Sequence, residues 1–287
     1  MSRIAFLGLG AMGSRMAAQL LSADHALVVW NRSPEKTDAL RAAGAEGAAS
    51  PRAAAEGADF VLAMVRDDQA SREIWLDRET GALASIRQDA VAIECSTLGL
   101  QWVAELSVRC KAGGVAFLDA PLAGSRPQAE QHQLIFFVGG DPEVFARAEP
   151  ILKAMGAAIH HAGPNGAGAL TKLVANALFG IQVAAIAELI ETVRCRGGDP
   201  ARAIDVLAAT PVLSPAAKGA AGSMLQDAFA PLFPVELVEK DLSYALAAAG
   251  RDDKAPMVTA AHGVFVEAMR HGYAEDNLTG IVRLYRD

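Results

Sequence analysis

The stretch Gly166–Arg196, GAGALTKLVANALFGIQVAAIAELIETVRCR, divides the chain into two parts with different sequence patterns. It contains about 30 residues without an internal proline, so as a single helix it would span roughly 45 Å, more than the width of a small domain. Strand-like and helix-like segments alternate before it, and only helix-like segments follow it. We therefore predict an α/β domain over residues 1–163 and an all-helical domain over residues 164–287, joined by this long helix.

The composition limits the classes of function. The 287 residues suffice for one large or two medium domains, and 52% of them are hydrophobic. This surplus leads us to expect buried subunit contacts in a homodimer or homotetramer. The net charge of −7, without a basic block, argues against a nucleic-acid partner. Three widely spaced cysteines without a CxxC pair favour a reducing, cytoplasmic location.

Two apolar segments are candidates for membrane insertion. The N-terminal run contains three glycines and is soon interrupted by Arg15, which is unlike a signal peptide. Leu173–Ile190 has the length of a membrane span, but it carries Asn176, Gln182 and Glu188, which are costly in lipid. We therefore expect a buried core helix and no membrane.

A glycine-rich loop follows the first predicted strand, Arg3–Leu7, and precedes a helical pattern. Strand, G-x-G-x-x-G and helix in this order are the context of a dinucleotide site in a Rossmann-type domain. Gly8 permits the tight turn, Gly10 lets the backbone approach a pyrophosphate, and Gly13 lets helix and strand pack closely. The helix N-terminus offers N–H groups to the phosphates. The predicted cofactor contacts in this loop are Gly8, Gly10, Ala11, Met12 and Gly13.

The end of the second predicted strand, Leu27–Trp30, bears on the choice of dinucleotide. An NAD site usually places Asp or Glu here, to accept from the ribose 2′-hydroxyl. This chain has Asn31, Arg32 and Ser33 instead. Arg32 can stack on adenine and pair with a 2′-phosphate, with Asn31 and Ser33 donating to it. The alternative is a solvated arginine after a strand, but the missing acid favours NADP over NAD.

The remaining elements follow from apolar runs, periodicity and caps. Further predicted strands are Asp59–Val65, Val91–Glu94, Val115–Asp119, Leu134–Val138 and Ala157–His160. Predicted helices are Pro34–Ala43, Ala49–Gly57, Gln101–Lys111, Asp141–Met155, Pro200–Ala209, Val235–Arg251, Pro256–His271 and Asn277–Leu284. Ligands of parallel sheets bind at the carboxyl ends of the strands, which directs attention to the loop Arg66–Asp68 and to Cys95–Thr97. Arg66 is either a phosphate or substrate contact or an ordinary surface arginine.

Two later segments carry candidate chemistry. The backbone N–H groups around Ala123–Ser125, in a loop after a strand, can form an anion nest for a carboxylate, although a plain loop stiffened by prolines explains the sequence equally well. Lys172 and Asn176 lie one turn apart on the long helix. Gly166 and Gly168 in its first turn cost helix stability, which a close ligand would explain. On an ordinary helix, a lysine such as Lys172 would be a snorkelling side chain. Partial desolvation of the ammonium at this position instead suits a proton donor.

Five motifs of the sequence together resemble those of a known enzyme family. GLGAMG, WNRS, DAPLAGS, GAGALTKLVAN and EKDLSYAL resemble, in order and over nearly the whole chain, the β-hydroxyacid dehydrogenase family. That family includes 3-hydroxyisobutyrate dehydrogenase, tartronate semialdehyde reductase and the glyoxylate/succinic semialdehyde reductases. WNRS and GSRPQAE are most similar to the NADP-linked glyoxylate/succinic semialdehyde reductase branch. The resemblance implies reduction of a small carboxylate-bearing carbonyl compound.

The resemblance also implies roles for individual residues. Lys172 matches the lysine that protonates the developing alkoxide, and Asn176 matches its substrate-binding partner. Gly124, with Ala123 and Ser125, matches the loop that binds the substrate carboxylate. Lys240 matches a lysine of the helical domain that reaches the cofactor and substrate. Three further residues are assigned to the cofactor, namely Met64, Val65 and Thr97.

Two departures from the family pattern leave alternatives open. The family loop commonly has serine where this chain has Ala123, and Arg66 is unusual at its position. A less polar site keeps an imine reductase under consideration, although those enzymes usually replace Lys172. A nucleotide-binding member without turnover is the other alternative. We expect no metal, because the adjacent His160 and His161 would point to opposite faces of a strand and the chain has no H-E-x-x-H motif.

Overall fold

The computed structural model describes residues 1–250 and 254–286. By their internal contacts the residues form two compact units, Met1–Lys172 and Leu173–Asp287, which we call the N-terminal and C-terminal units. The N-terminal unit is a Rossmann-like domain with a mainly parallel sheet, and the C-terminal unit is helical, as the sequence predicted.

Nine strands form one sheet in the N-terminal unit, in the order β3-β2-β1-β4-β5-β6-β8-β7, with β9 beside β8. Their bounds are β1 Arg3–Leu7, β2 Ala26–Trp30, β3 Glu46–Gly47, β4 Phe60–Ala63, β5 Val91–Glu94, β6 Ala116–Asp119, β7 Leu122–Ala123, β8 Leu134–Gly139 and β9 Gly156–Gly163. The pairings from β3 through β6 are parallel, and β8 runs antiparallel to both β6 and β7. The order places the topological switch point between β1 and β4.

The central strands all end at one level of the sheet. Leu7 pairs in register with Trp30 on one side and with Ala63 on the other. Ala63 pairs with Glu94, and Glu94 pairs with Asp119. The chain segments that follow these five residues therefore leave the sheet side by side along its carboxyl edge, and we call this row of residues the carboxyl row.

Helices cover both faces of this sheet, so its strands are apolar on both sides. In β1, Ile4 and Phe6 belong to one core cluster, whereas Ala5 and Leu7 belong to the other. The helices are α1 Gly13–Ser22, α2 Asp38–Ala42, α3 Pro51–Ala55, α4 Asp68–Leu76, α5 Leu100–Ala112, α6 Arg126–Glu130 and α7 Pro142–Lys153, with 3-10 turns at Pro34–Thr37 and Ala82–Ala84.

The long helix α8 spans Ala167–Cys195, and the boundary between the two units falls within it. It is long and apolar enough to cross a membrane by length and composition, and half of its most apolar window is buried in the fold. The other helices of the C-terminal unit are α9 Pro200–Ala208, α10 Pro215–Leu225, α11 Val235–Ala249 and α12 Pro256–Arg270, followed by a 3-10 helix at Leu278–Tyr285. Their shared core includes Val183, Leu242, Phe265 and Ile281.

The structure corrects several predicted elements. Asp68, predicted in a loop, begins α4, and the helix α10 was missed. The predicted helix Pro34–Ala43 is a 3-10 turn followed by a five-residue α-helix, and Asn277–Leu284 is largely a 3-10 helix. The predicted helix end at Arg251 lies outside the described residues.

Candidate cofactor site and active-site residues

The glycine loop has the form that a dinucleotide site needs. Gly8 has φ +97°, and a Cβ there would overlap the carbonyl oxygen of Met64. A Cβ on Gly13, where α1 begins, would overlap the carbonyl oxygen of Gly8. Among the described residues, a Cβ on Gly10 would meet no atom within 4 Å. The fold itself therefore requires Gly8 and Gly13, whereas Gly10 leaves open space beside the backbone that fits the close approach of a pyrophosphate.

Asn31 ties the glycine loop to the segment after β2. Its Oδ1 accepts from the backbone N–H of Leu9 at 2.9 Å, and its Nδ2 donates to the carbonyl oxygen of Ser33 at 3.0 Å. Asn31 therefore bridges the two segments, and its donation to a 2′-phosphate stays a prediction. Arg32, beside it, is exposed.

The segments after β4 and β5 are joined to each other and to β1. The backbone N–H of Met64 donates to the carbonyl oxygen of Leu7 at 2.9 Å. The N–H of Val65 donates to the hydroxyl oxygen of Ser96 at 2.8 Å. Thr97, one residue further, is partly exposed. Met64 and Val65 therefore follow the strand next to β1, beside the glycine loop, and Thr97 follows the next strand, β5.

A buried carboxylate supports these segments, and sequence reasoning missed it. Glu94, the last residue of β5, accepts from the Ser71 hydroxyl at 2.6 Å, the Trp75 indole N–H at 2.8 Å and the Ser96 backbone N–H at 3.0 Å. Burial raises the pKa of Glu94, and the hydrogen bonds oppose that shift. An acid at the end of an otherwise apolar strand was the available signal.

The predicted carboxylate loop runs from β7 into α6. Gly124 has φ +117°, which a side chain would strain, and Ala123 pairs with β8. The backbone N–H of Ser125 donates to Gln128 Oε1 at 2.9 Å within the N-terminal turn of α6. One of the N–H groups assigned to an anion nest is therefore engaged by the protein.

The first turn of α8 is fixed to the end of β6 by Asp119. Its Oδ1 accepts from the backbone N–H of Gly166 at 2.7 Å and its Oδ2 accepts from that of Ala169 at 2.8 Å. Burial raises the pKa of this carboxyl, with the backbone N–H groups opposing the shift. Gly166 has φ +92° and precedes the helix, so the prediction that it lies in the first turn was wrong. Asp119 was missed because its partners lie about 50 residues later in the chain.

Gly168 explains why the start of α8 lies so close to the sheet. A Cβ there would overlap the carbonyl oxygen of Phe137 and lie 2.7 Å from that of Asp119. The fold therefore requires this glycine for packing, which accounts for its cost in helix propensity without a ligand. Lys172 lies one turn beyond this contact, partly buried, as the last residue of the N-terminal unit.

The C-terminal unit contains a buried polar cluster. Asn176 Nδ2 donates to Asp241 Oδ2 at 2.6 Å, and Lys240 Nζ lies 2.8 Å from Asp241 Oδ1 as an ion pair without hydrogen-bond geometry. The Lys240 ammonium also lies 4.6 Å from the centre of the Tyr244 ring. Asp241 is 3% exposed, so it is not the solvated residue that a charged pair suggests. Its place on the same helix face as Val238 and Leu242 was the overlooked signal.

Arg66 is exposed, with its Nε 3.9 Å from the Asp67 carboxylate that caps α4. Over residues 1–250 and 254–286, no group of three or more His, Cys, Asp or Glu side chains is placed to hold a metal ion.

Comparisons with known proteins agree with this geometry. The family model described as the NAD binding domain of 6-phosphogluconate dehydrogenase matches residues 3–163. The model described as NAD-binding of NADP-dependent 3-hydroxyisobutyrate dehydrogenase matches residues 166–285.

Two curated relatives and one solved structure are similar over most of their length. NAD-dependent L-serine dehydrogenase of Pseudomonas aeruginosa is 33% identical, covering 99% of this chain and 98% of that protein. Chloroplastic glyoxylate/succinic semialdehyde reductase 2 of Arabidopsis thaliana is 31% identical, covering 97% and 78%. The structure of Mycobacterium tuberculosis 3-hydroxyisobutyrate dehydrogenase with L-serine is 29% identical and superposes with a TM-score of 0.91 over 100% of both chains. The chain therefore belongs to the 3-hydroxyisobutyrate dehydrogenase-like, or β-hydroxyacid dehydrogenase, family of NAD(P)-binding oxidoreductases.

Proposed function

We propose that the protein is an NADPH-dependent reductase of small aldehyde acids of the glyoxylate, succinic semialdehyde or tartronate semialdehyde type, which in reverse is a β-hydroxyacid dehydrogenase. The observation that carries the proposal is the carboxyl row. The glycine loop and the segments with Met64 and Thr97 leave the sheet from this row, and the loop Ala123–Ser125 follows β7, which begins three residues after Asp119. Asp119, also in the row, fixes the start of the helix that carries Lys172.

Lys172 is the proposed proton donor. Bound NADPH supplies the hydride that reduces the carbonyl carbon. The Lys172 ammonium gives a proton to the carbonyl oxygen, which leaves a hydroxyl group on the product and a neutral amine on the enzyme. A positioned acid of this kind contributes about 10²–10⁴ in rate. The rigid first turn of α8 supports this role, because a general acid must be held within hydrogen-bond distance of its target.

Arg32 is the proposed determinant of the NADP preference. It is exposed directly after β2, where an NAD site usually has an acid. The relatives do not decide the question, because the family description for residues 166–285 names NADP while the serine dehydrogenase is NAD-dependent. The proposal therefore depends on the chemistry of Arg32, with Asn31 holding the segment in place.

Lys172→Ala tests the mechanism, with Lys111→Ala, an exposed lysine of α5, as the matched control. We expect Lys172→Ala to lower kcat by about 10²–10⁴ and to leave the dissociation constant of NADPH unchanged. Lys111→Ala should behave as the wild type. Unchanged turnover in Lys172→Ala would remove this residue from the mechanism.

One alternative remains specific enough to test beside the first. Ala123 removes a hydroxyl donor from the proposed carboxylate loop, which favours a less polar substrate such as a cyclic imine. Comparing cyclic imines with aldehyde acids under the same conditions separates the two. NADPH binding without oxidation by either substrate class would instead support a non-catalytic nucleotide-binding protein.

We further propose a cytoplasmic homodimer or homotetramer. Leu170, Val174 and Leu178 are large apolar side chains on one face of α8, four residues apart, and each is exposed. Contiguous apolar surface of this kind often marks an interface. Light scattering of the purified protein tests the oligomeric state, and a monomer at micromolar concentration would contradict the proposal.

A further inference from the structure

Arg126, the first residue of α6, differs from the other arginines that the fold shelters. Arg72 forms two 2.9 Å hydrogen bonds with Glu105, and Arg286 bonds to Glu191 and Asp227. Arg126 is partly buried, and its Nε is shut off from solvent with no hydrogen-bond partner among the residues that the structure describes.

A guanidinium group without an acceptor is unusual at such a position. It carries five N–H donors in a rigid fork and no acceptor, and it is always charged. A ligand oxygen cannot reach the sealed Nε, so an anion pairs with the two terminal nitrogens, Nη1 and Nη2. The fork matches the two oxygens of a carboxylate, which is the natural partner for such a group.

The loop before Arg126 has few donors left for a carboxylate. Ala123 has no hydroxyl group, and the backbone N–H of Ser125 already donates to Gln128 at 2.9 Å. A carboxylate at this loop therefore needs a charge from elsewhere. Arg126 is the next residue along the chain and supplies one.

The backbone of Arg126 is held firmly beside the glycine loop. Arg15 of α1 donates to Glu130, the last residue of α6, at 2.6 Å and to the carbonyl oxygen of Ala11 at 2.7 Å. Gln19 donates to the carbonyl oxygens of Ala129 and Glu130 at 3.1 and 2.9 Å. These contacts fix α6 against α1, the helix that follows the glycine loop. The guanidinium therefore starts from a rigid element, which lowers the entropy cost of holding an anion.

We propose that Arg126 binds the substrate carboxylate and makes the enzyme specific for acid-bearing carbonyl compounds. The proposal rests on the proposed function and assigns a group that replaces the donor missing at Ala123. Arg126 forms a two-pronged ion pair with the carboxylate through Nη1 and Nη2. A neutral carbonyl compound leaves the guanidinium unpaired and binds less well.

The test measures binding of propionate and of propionamide, which differ in the carboxylate alone, to the NADP⁺ complex by ligand-observed NMR. The variants are Arg126→Gln, which removes the charge, and Arg126→Lys, which keeps the charge without the fork. The control is Arg52→Gln, an exposed arginine of α3. We expect Arg126→Gln to weaken propionate binding about 10- to 100-fold, the usual effect of losing a charge-assisted hydrogen bond. Arg126→Lys should bind propionate with an affinity between those of the wild type and Arg126→Gln, and Arg52→Gln should bind it as tightly as the wild type.

A second experiment distinguishes an effect on carboxylate binding from an effect on cofactor binding. NADP⁺ is titrated into each variant without substrate, and circular dichroism checks that the variants are folded. Weaker NADP⁺ binding in Arg126→Gln with unchanged propionate binding would assign the guanidinium to a cofactor phosphate and overturn the proposal. So would the absence of saturable propionate binding to the wild type, or propionate binding in Arg126→Gln equal to the wild type. Because this test uses binding alone, it stands even if the protein reduces no aldehyde acid, a result that would refute only the proposed function.

Discussion

The substitution Gly10→Ala separates the cofactor role of the glycine loop from its role in folding. A Cβ at Gly10 would meet no atom of residues 1–250 and 254–286 within 4 Å, and the φ of Gly10 lies outside the left-handed region. The variant should therefore keep the wild-type stability, or gain up to about 1 kcal/mol because alanine narrows the unfolded ensemble. The added methyl group occupies the space through which a pyrophosphate would approach the backbone.

The expected loss of cofactor affinity follows from the contacts that the methyl group blocks. Displacing a phosphate from one backbone N–H removes a charge-assisted hydrogen bond worth roughly 1.5–3 kcal/mol. This corresponds to a dissociation constant for NADPH about 10- to 100-fold higher. Gly13→Ala is the matched variant, because its Cβ would overlap the Gly8 carbonyl oxygen and lie 3.1 Å from the Phe6 ring. Overpacking of this kind costs about 1–3 kcal/mol, so Gly13→Ala should lose both stability and affinity.

Tryptophan fluorescence provides the stability assay. Trp30, Trp75 and Trp102 are the three tryptophans of the chain and all lie in the N-terminal unit, so urea unfolding followed by their emission reports on that unit. NADPH binding is measured by titration of the same samples. If Gly10→Ala binds NADPH as tightly as the wild type, the pyrophosphate does not approach the backbone closely at this residue. A loss of stability equal to that of Gly13→Ala would refute the claim of open space.

Two further predictions concern the buried carboxylates. Asp119→Asn should lower the free energy of unfolding by about 1–3 kcal/mol, because both carboxylate oxygens accept a backbone N–H and asparagine keeps one acceptor. Its control, Asp141→Asn, should change stability by less than about 0.5 kcal/mol, because a single oxygen makes both capping bonds of α7. The raised pKa of Glu94 means that its stabilising contribution is complete below the unfolded value of about 4.3 and is lost as pH rises through the folded pKa. Glu94→Gln should therefore show a smaller fall in the free energy of unfolding with rising pH.

The same fluorescence assay decides both predictions. Equal stability losses in the Asp119 and Asp141 variants would show that the second acceptor at the start of α8 contributes nothing. For Glu94, unfolding curves are compared with the wild type at each pH. A pH dependence in Glu94→Gln identical to that of the wild type would place the titration at another group.

Sequence patterns predicted the elements whose signals are local. The strand Val91–Glu94 was predicted with its exact bounds, and α8 was predicted to within one residue at each end, because apolar runs and a proline-free segment mark both. The helix Asp68–Leu76 was missed although Asp67 is an N-cap, because the stretch was interpreted as a ligand-binding loop. The helix Pro215–Leu225 has two interior glycines, which weaken helix propensity and masked its Ser214 cap.

The contacts that shape the candidate site depend on residues far apart in the chain. Asn176 meets Asp241 across 65 residues, and Asp119 meets Ala169 across 50. No local period or motif encodes such a pairing, because it arises when separate elements pack together. The same holds for Asn31, whose amide bonds to Leu9 across 22 residues and thereby gains a role that its position after a strand does not suggest.

The proposed activity is NADPH-dependent reduction of an aldehyde acid with Lys172 as the proton donor. The most direct measurement follows oxidation of NADPH and of NADH with glyoxylate, succinic semialdehyde, tartronate semialdehyde and a cyclic imine, for the wild type and for Lys172→Ala. We expect turnover of at least one aldehyde acid, a preference for NADPH, and a loss of about 10²–10⁴ in kcat in Lys172→Ala. Turnover of the imine alone, or aldehyde-acid turnover that survives in Lys172→Ala, would contradict it.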